Sequence, residues 1–203
     1  MTKPQRAVLA SGNAGKLREL RALLASYAFD LIAQNDLGIS AAEEPFNTFV
    51  ENALAKARHA STAAGLPALA DDSGLAVRAL GGAPGVRSAR YAGPNASDRD
   101  NIAKLLDALG DSSERDACFF CTLVFVDHPE DPTPLIASGR WDGTILLQPT
   151  GDGGFGYDPV FYDASLGRSA AQLTTEEKAA VSHRGRAMQA LATSLRHRTL
   201  GNR

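Results

Sequence analysis

The stretch RAVLASGNAGKLRELRALLASYAFDLIAQ, residues 6–34, determines the fold class that the sequence predicts. An apolar strand pattern occupies residues 6–11, and a second one occupies residues 29–34. Between them, apolar side chains recur at helical spacing, at Leu17, Leu20, Leu24 and Tyr27. A strand, a loop, a helix and a second strand in this order are typical of α/β architecture.

The remaining elements continue this pattern and then become mainly β. Predicted helices cover residues 48–65, the segment from Ser97 to Gly110, a short segment that begins at the capping-box pair Thr174 and Glu177, and the chain after Ser182. Predicted strands cover residues 67–71, 74–80, 117–126, 135–143, 144–149 and 155–162. Because short turns join the later strands, we expect antiparallel pairing there and a mixed sheet.

Composition and charge exclude several classes of function. A chain of 203 residues fits one domain or two closely packed lobes. Its net charge of −2 gives no electrostatic case for binding nucleic acid or a membrane surface. The longest apolar run, residues 117–126, has ten residues and is too short to span a bilayer. The first residues lack the features of a signal peptide. We therefore expect a cytoplasmic protein with no nucleic-acid or membrane partner.

Cys118 and Cys121 form a C-x-x-C pattern inside this apolar run. Such spacing occurs in redox and zinc sites. Here the run predicts a buried strand, on which residues three apart point to opposite faces, and no second ligand pair completes a zinc site. We interpret both as core thiols.

The segment SGNAGK, residues 11–16, follows a strand and opens a helix. The amide groups at a helix N-terminus favour an anion, and Lys16 adds a positive charge. The spacing of Gly12 and Gly15, with Leu17 after the lysine, excludes a Walker loop. The segment is either a phosphate site or an ordinary strand–helix turn with a solvated lysine.

The segment ADDSG, residues 70–74, places two adjacent carboxylates at the end of a predicted strand. Ligands of α/β sheets gather beyond strand ends, and Mg²⁺ is commonly held by few carboxylates together with substrate phosphates. On extended backbone only one of Asp71 and Asp72 faces a given site. A simple turn is the alternative, and Glu43 and Glu44 in the loop 35–47 are weaker candidates.

Two further segments suggest a ligand that has a flat ring and carries either an anionic group or a carbonyl group. In GGFGYDP, residues 153–159, Phe155 and Tyr157 point the same way if the backbone is extended, and aromatic rings stack on nucleobases. In SHRG, residues 182–185, two basic side chains stand at a helix start, where cations are disfavoured. Core aromatics and a solvated basic pair are the alternatives.

Taken together, these motifs resemble the inosine/xanthosine triphosphate pyrophosphatase family. The resemblance is carried, in order, by SGNAGK, EEPFNTFVENALAKA, ADDSGL, GGAPGVRSARYAG, GGFGYDP and LTTEEKAAVSHRG, with Ser11 in place of a common threonine and Pro45-Phe46 in place of a more usual Thr-Gly. It implies an α/β fold with two lobes, a long mixed central sheet flanked by helices, and an active site in the cleft between the lobes. It further implies a single domain over residues 1–203, a homodimer and Mg²⁺.

The same resemblance implies a reaction and a set of roles. Deaminated purine nucleoside triphosphates (ITP, dITP, XTP and dXTP) would be hydrolysed to the monophosphate and pyrophosphate. Asp72 would be the general base and a metal ligand, with Glu44, more than Glu43, as the second acid. The other expected contacts are with the substrate: Ser11, Gly12, Asn13, Ala14, Gly15, Lys16, Lys56, Ser73, Phe155, Gly156, Tyr157, Asp158, Lys178, His183 and Arg184.

In this scheme His183 and Arg184 would select the base by donating to its 6-oxo group, because the 6-amino group of adenine cannot accept such hydrogen bonds. Two rival hypotheses stay open at this point. One is a nucleotide-binding module without catalysis, which would gain nothing from acids beside a triphosphate. The other is a hydrolase for pyrimidine or modified nucleotides.

Overall fold

In the part of the chain that the structure describes, seven strands form one mixed sheet in the order β2-β1-β3-β4-β5-β6-β7. The computed structural model describes residues 5–11, 20 and 29–201. The strands are β1 Gln5–Ala10, β2 Phe29–Ala33, β3 Ala68–Val77, β4 Asp116–Val126, β5 Leu135–Ile145, β6 Phe161–Asp163 and β7 Arg168–Ser169. Strand β1 pairs in parallel with β2 and β3, whereas β5 with β6 and β6 with β7 are antiparallel. The predicted mixed α/β sheet is confirmed.

Helices directly follow the predicted caps Ser97, Thr174 and Ser182, and two helices end directly before Gly65 and Gly110, as predicted. Four helices lie within the described part of the chain. They are α1 Phe49–Ala64, α2 Asp98–Leu109, α3 Thr175–Val181 and α4 His183–Gly201. The Thr48 side chain accepts a hydrogen bond from the amide of Glu51, and α2 and α3 begin with capping boxes at Ser97 and Thr174. The helix predicted within 13–27 lies outside the described residues except for Leu20, which is helical and buried.

The chain divides into two compact units, and the first comprises residues 1–72, 121–139 and 184–203. Strand β1 has a buried side chain on each face, because side chains alternate along a strand. Ala7 and Leu9 join a cluster with Met188 and Leu191 of α4. On the other face, Val8 and Ala10 join a cluster with the alanines of α1, which are Ala53, Ala57 and Ala60. The strand is therefore buried on both faces, which explains its continuous apolar sequence.

The second unit comprises residues 73–120 and 140–183 and has its own core. Apolar side chains of β3, α2, β4, β5 and β6 contribute to this core, which includes the aromatic residues Phe119, Trp141, Tyr157 and Phe161. The ring centroids of Phe119 and Phe161 lie 4.5 Å apart, and those of Trp141 and Phe161 lie 4.9 Å apart. The indole N–H of Trp141 donates to Asp163 at 2.7 Å, so its polar group is satisfied inside the core.

Three predictions about strands are wrong. The segment DDSG does not end a strand, because β3 continues through it from Ala68 to Val77. Residues 144–149 and 155–162 are not full strands either: β5 already ends at Ile145, and a 3₁₀ helix occupies Asp158–Val160 before the short strand β6. Left-handed backbone at Gly154 and Gly156 interrupts the extended conformation there.

In the part of the chain that the structure describes, no helix combines the length and the apolar character needed to cross a bilayer.

Candidate active site

Strand β3 carries Asp71 and Asp72, both almost completely buried, with exposed fractions of 1% and 4%. Their neighbours show which face each one occupies. Leu69 belongs to the cluster beside α4, and Ala70 belongs to the cluster beside α1. Because side chains alternate along a strand, Asp71 lies on the α4 face and Asp72 on the α1 face. The prediction that only one of them serves a given site agrees with this arrangement.

On the α1 face, Lys56 joins two carboxylates. Its ammonium group lies 3.0 Å from Asp72 Oδ1 and 2.8 Å from Glu44 Oε1. Burial acts to lower the pKa of Lys56, but the charges of Asp72, Asp71 and Glu44 outweigh it and raise that pKa above its ordinary value of 10.5. Lys56 is therefore fully protonated at neutral pH. Of the two glutamates considered from the sequence, Glu44 joins this cluster and Glu43 is exposed.

Asn52 lies one turn before Lys56 on α1 and links the loop of residues 35–47 to strand β3. Its amide group donates to the carbonyl oxygen of Phe46 at 3.2 Å, and its Oδ1 accepts from the Phe46 amide at 3.1 Å. The same amide group donates to Asp72 Oδ2 at 3.4 Å. Asn52 is fully buried. Residues four apart share one helix face, so Asn52 and Lys56 both reach Asp72.

The carboxylates of Glu44 and Asp72 fit a magnesium ion. Both already converge on one cationic centre, the ammonium group of Lys56. Mg²⁺ typically takes one or two carboxylates and fills its other positions with water and phosphate oxygens. Among the described residues, no group of three or more His, Cys, Asp or Glu side chains is arranged to hold a metal ion. The donor set therefore suits a cation that arrives with a phosphate ligand rather than a closed protein site.

On the α4 face, Arg184 is the neighbour of Asp71. The guanidinium Nε lies 4.0 Å from Asp71 Oδ2, and Arg184 is only 3% exposed. A buried guanidinium needs a carboxylate nearby, because an isolated buried charge is costly. Asp71 thus stabilises the cation that begins α4, where the helix dipole alone disfavours it.

In the second unit, the aromatic loop (residues 153–158) is built around Asp158. This carboxylate is 2% exposed and accepts hydrogen bonds from the Phe155 amide at 2.8 Å and from Lys178 Nζ at 2.6 Å. The ammonium group of Lys178 also lies 4.7 Å from the centre of the Phe155 ring. Lys178 therefore supports the ring electrostatically from one side while it neutralises Asp158.

The prediction that Phe155 and Tyr157 point the same way is wrong, because the loop is not extended. Phe155 is half-buried, whereas Tyr157 is 4% exposed and belongs to the core. The Tyr157 hydroxyl donates to the carbonyl oxygen of Ser88 at 2.9 Å, and burial raises its pKa. Between them, the Gly156 amide donates to Asp98 Oδ2 at 2.6 Å.

His183 is 4% exposed and stacks on Phe119 in the second unit. The two rings are nearly parallel, with an interplanar angle of 13° and centroids 4.8 Å apart. Trp141 lies beside them, its centroid 6.5 Å from that of His183. The aromatic core therefore fixes the plane of the imidazole. Ser182 precedes α4 with extended backbone, as expected of an N-cap residue.

The remaining expected substrate contacts fall into two groups. Ser11 directly follows β1, is 8% exposed, and donates its amide proton to the carbonyl oxygen of Leu9 at 3.0 Å. Ser73 is a half-buried residue of β3. The expected phosphate segment from Gly12 to Lys16 lies outside the described residues.

Sequence reasoning missed three residues of these clusters, namely Asn52, Asp98 and Phe119. Asn52 had a visible signal, because it interrupts the apolar face of a predicted helix with an amide. Asp98 and Phe119 had none, since an acid at a helix start and an aromatic in a core strand are ordinary features.

The cysteines lie in β4 as predicted, and Cys121 is buried as a core thiol. Cys118 is partly exposed, so its interpretation as a core thiol is wrong. Burial raises the pKa of Cys118, which keeps it a neutral thiol. Neither thiol is among the residues described above for the group around Lys56 or for the aromatic loop.

Comparison with known proteins identifies the family. The sequence model of the Ham1 family matches residues 7–194. Proteins named dITP/XTP pyrophosphatase from Shigella flexneri and Yersinia pseudotuberculosis are 56% and 58% identical over 195 and 194 residues, covering 95% of this chain and 99% and 98% of their own. A solved HAM1 protein from Coxiella burnetii is 49% identical with a TM-score of 0.89, and it covers 95% of this chain and 99% of its own. The chain therefore belongs to the Ham1 family.

Proposed function

We propose that this protein hydrolyses the deaminated purine nucleotides dITP, ITP, XTP and dXTP to the monophosphate and pyrophosphate. The observation that carries the proposal is the cluster of Glu44, Lys56 and Asp72, in which two carboxylates and an ammonium group converge. Relatives more than 50% identical over nearly the full chain are named dITP/XTP pyrophosphatase, which supports the same reaction here.

In the proposed reaction, Asp72 acts as the general base. It aligns a water molecule and takes its proton while the water oxygen bonds to the α-phosphorus. The bond from that phosphorus to the bridging oxygen breaks, and pyrophosphate leaves with the electron pair. The Asp72 carboxylate accepts hydrogen bonds from Lys56 and Asn52, and it would also accept one from the water.

Glu44 and Asp72 would hold Mg²⁺. When bound, the ion supplies charge neutralisation for the triphosphate and the departing pyrophosphate. Lys56, charged at neutral pH, adds a fixed positive charge beside the same oxygens. Ser11, the segment from Gly12 to Lys16, and Ser73 would bind the remaining phosphate oxygens through hydroxyl, amide and ammonium donors.

The base would stack on Phe155, the partly exposed aromatic residue of the loop. Gly156 next to it lets the purine approach the backbone, because nothing lies within 4 Å of the position of a Cβ there. The buried ion pair of Lys178 and Asp158 would support the base site from within the protein. Tyr157 anchors the aromatic loop to the core through its hydroxyl.

His183 and Arg184 would donate to the 6-oxo group of the base. Adenine offers an N–H donor at that position, so it would leave both donors unpaired. A site built for one hydrogen-bond pattern rejects the other by about 10⁴-fold or more. The stack of His183 on Phe119 and the charge of Asp71 beside Arg184 would fix the two donors before substrate arrives.

A panel of nucleoside triphosphates tests this proposal directly. Purified protein is incubated with each of dITP, XTP, ITP, dATP, dGTP and dCTP, with Mg²⁺ or with EDTA, and pyrophosphate and orthophosphate are measured separately. We expect pyrophosphate from the deaminated purines with Mg²⁺ only, and no orthophosphate. Absence of turnover would favour the binding module, and equal turnover of dCTP would favour the broader hydrolase.

The proposal includes three further properties. The family resemblance implies a homodimer and a single domain, and the sequence features imply the cytoplasm. The protein would act as a homodimer in the cytoplasm, where the nucleotide pool is, and residues 1–203 would function as a single domain. Analytical ultracentrifugation of the full chain tests the dimer, with a mass of twice 21.3 kDa expected.

A further inference from the structure

The aromatic loop has two consecutive amide groups held by carboxylates from different parts of the chain. The Phe155 amide donates to Asp158, within the loop itself, at 2.8 Å. The Gly156 amide donates to Asp98 Oδ2 at 2.6 Å, and Asp98 is 58 residues earlier in the sequence. The backbone on both sides of the Phe155 carbonyl is therefore fixed.

Asp98 is the first residue of α2, but it is not the residue that caps the helix. The capping box consists of Ser97 and Asp100, whose carboxylate accepts from the Ser97 amide at 2.9 Å. The Asp98 carboxylate instead reaches out of the helix to the loop. Asp100 caps the helix and Asp98 contacts the aromatic loop, although both lie in the first turn. Mutation of one or the other therefore tests the two roles separately.

The contact of Asp98 with the Gly156 amide lies directly after Phe155, at a sharp turn of the chain. Gly156 has φ of +60°, the left-handed region, so the chain turns sharply directly after Phe155. Tyr157 beyond the turn is anchored by its hydroxyl on Ser88. Removal of the Asp98 acceptor would release the Gly156 amide and allow the peptide between Phe155 and Gly156 to rotate.

We propose that Asp98 is a positioning residue for base recognition, which holds Phe155 in the orientation that stacks on the purine. The inference rests on the proposed function, because it requires Phe155 to bind the base. Asp98 itself touches neither the substrate nor the reacting atoms in this scheme. Its effect is on how well the base binds, not on the chemical step.

Steady-state kinetics with ITP test the role, using Asp98→Ala, Asp98→Asn and, as matched control, Asp100→Ala. In Asp98→Ala we expect KM for ITP to rise about tenfold at nearly unchanged kcat, since ordered base stacking is lost. Inhibition by inorganic pyrophosphate, which has no base, stays unchanged. Asp98→Asn restores KM, because its amide oxygen still accepts from Gly156. Asp100→Ala lowers Tm but leaves KM unchanged.

Hydrogen exchange at the Gly156 amide gives a readout that does not depend on turnover. Protection is expected to fall in Asp98→Ala and to persist in Asp98→Asn and Asp100→Ala. The inference is overturned if KM for ITP stays unchanged in Asp98→Ala, if pyrophosphate inhibition weakens in parallel, if Asp98→Asn fails to restore KM, or if Gly156 keeps its protection. Failure of the proposed function is distinct, because the wild type itself would then release no pyrophosphate from ITP.

Discussion

Asp71 and Asp72 are consecutive residues of β3 that serve opposite faces of the strand. Asp72 contacts Lys56 and Asn52 of α1, and Asp71 lies beside Arg184 of α4. Both are buried, so each needs its own cation. The two carboxylates are adjacent in the sequence but have different partners, one set on each face of β3.

This separation predicts different effects for two otherwise identical substitutions. Asp72→Asn should nearly abolish turnover of ITP, with kcat lower by about 10³-fold or more, because an amide cannot take the proton from water. Asp71→Asn should retain most of kcat, since Asp71 is on the other face. Initial rates of pyrophosphate release, with circular dichroism to verify folding, provide the measurement. Substantial turnover by folded Asp72→Asn would refute its role as the base.

Lys56 provides a test of the metal site that does not require catalysis. In Lys56→Met, Glu44 and Asp72 lose their shared cation, and leaving buried polar groups unsatisfied costs about 1–3 kcal/mol. For a chain of this size we expect Tm to fall by roughly 2–10 °C. Mg²⁺ should raise Tm more in the variant than in the wild type, because the ion replaces the missing charge.

Differential scanning calorimetry of the wild type and of Lys56→Met, each with and without MgCl₂, measures how much Mg²⁺ raises Tm in each protein. Arg6→Met is a suitable control, since the contact of Arg6 with Asp30, at 3.8 Å, is exposed on both sides. If Mg²⁺ shifts Tm of Lys56→Met no more than that of the wild type, the two carboxylates do not form the metal site.

The helices of this protein could be predicted because their signals are local. Thr48, Ser97 and Thr174 each precede a helix and accept the expected backbone hydrogen bond. The continuous strand β3 could not be predicted, because Asp-Asp-Ser-Gly is favourable turn chemistry. Tertiary partners override that preference: Lys56 and Arg184 neutralise the two acids, although they are distant in sequence.

The glycines of GGFGYDP show a second limit of sequence reasoning. A glycine in such a loop can make room for a ligand beside the backbone. At Gly154, however, the close neighbour is the protein itself, because a Cβ there would overlap the carboxylate of Asp158. Only Gly156 has open space beside it. Room for a ligand and close contact with the protein's own side chains both require a glycine. The sequence alone therefore does not distinguish these two causes.

The hydrogen bonds of the Asp163 carboxylate lead us to expect that the stability of the protein depends on pH. Burial acts to raise its pKa, but hydrogen bonds from Ser165, Trp141 and Leu166 outweigh burial and hold the pKa below its ordinary value of 3.8. A depressed pKa means that the folded state favours the ionised form. The stabilisation is therefore complete above the unfolded-state pKa and is lost as pH falls through the folded-state pKa.

Urea unfolding of wild type and Asp163→Asn, at pH 7 and at about pH 3, measures this contribution. At pH 7 we expect the variant to be less stable by about 1.5–3 kcal/mol, since hydrogen bonds to a charged acceptor become neutral. The difference should shrink at the lower pH. Asp142→Asn is the control, because Asp142 pairs only with exposed Arg140 in the bonds described. A difference that is equal at both pH values would contradict the role of the Asp163 charge.

The last prediction concerns selection of the base by Arg184. If its guanidinium donates to the 6-oxo group, Arg184→Ala should lower kcat/KM for ITP by about 10–100-fold, because a hydrogen bond from a charged donor is worth about 1.5–3 kcal/mol. ATP gains nothing from that donor, so its slow turnover should stay constant and the ratio of ITP to ATP should collapse. Asp71→Asn should reduce this ratio in the same direction but by less, since it only loosens Arg184. An equal loss for both nucleotides would assign Arg184 to the phosphates or to the fold, and base selection would then fall to His183, whose ring Phe119 holds in place.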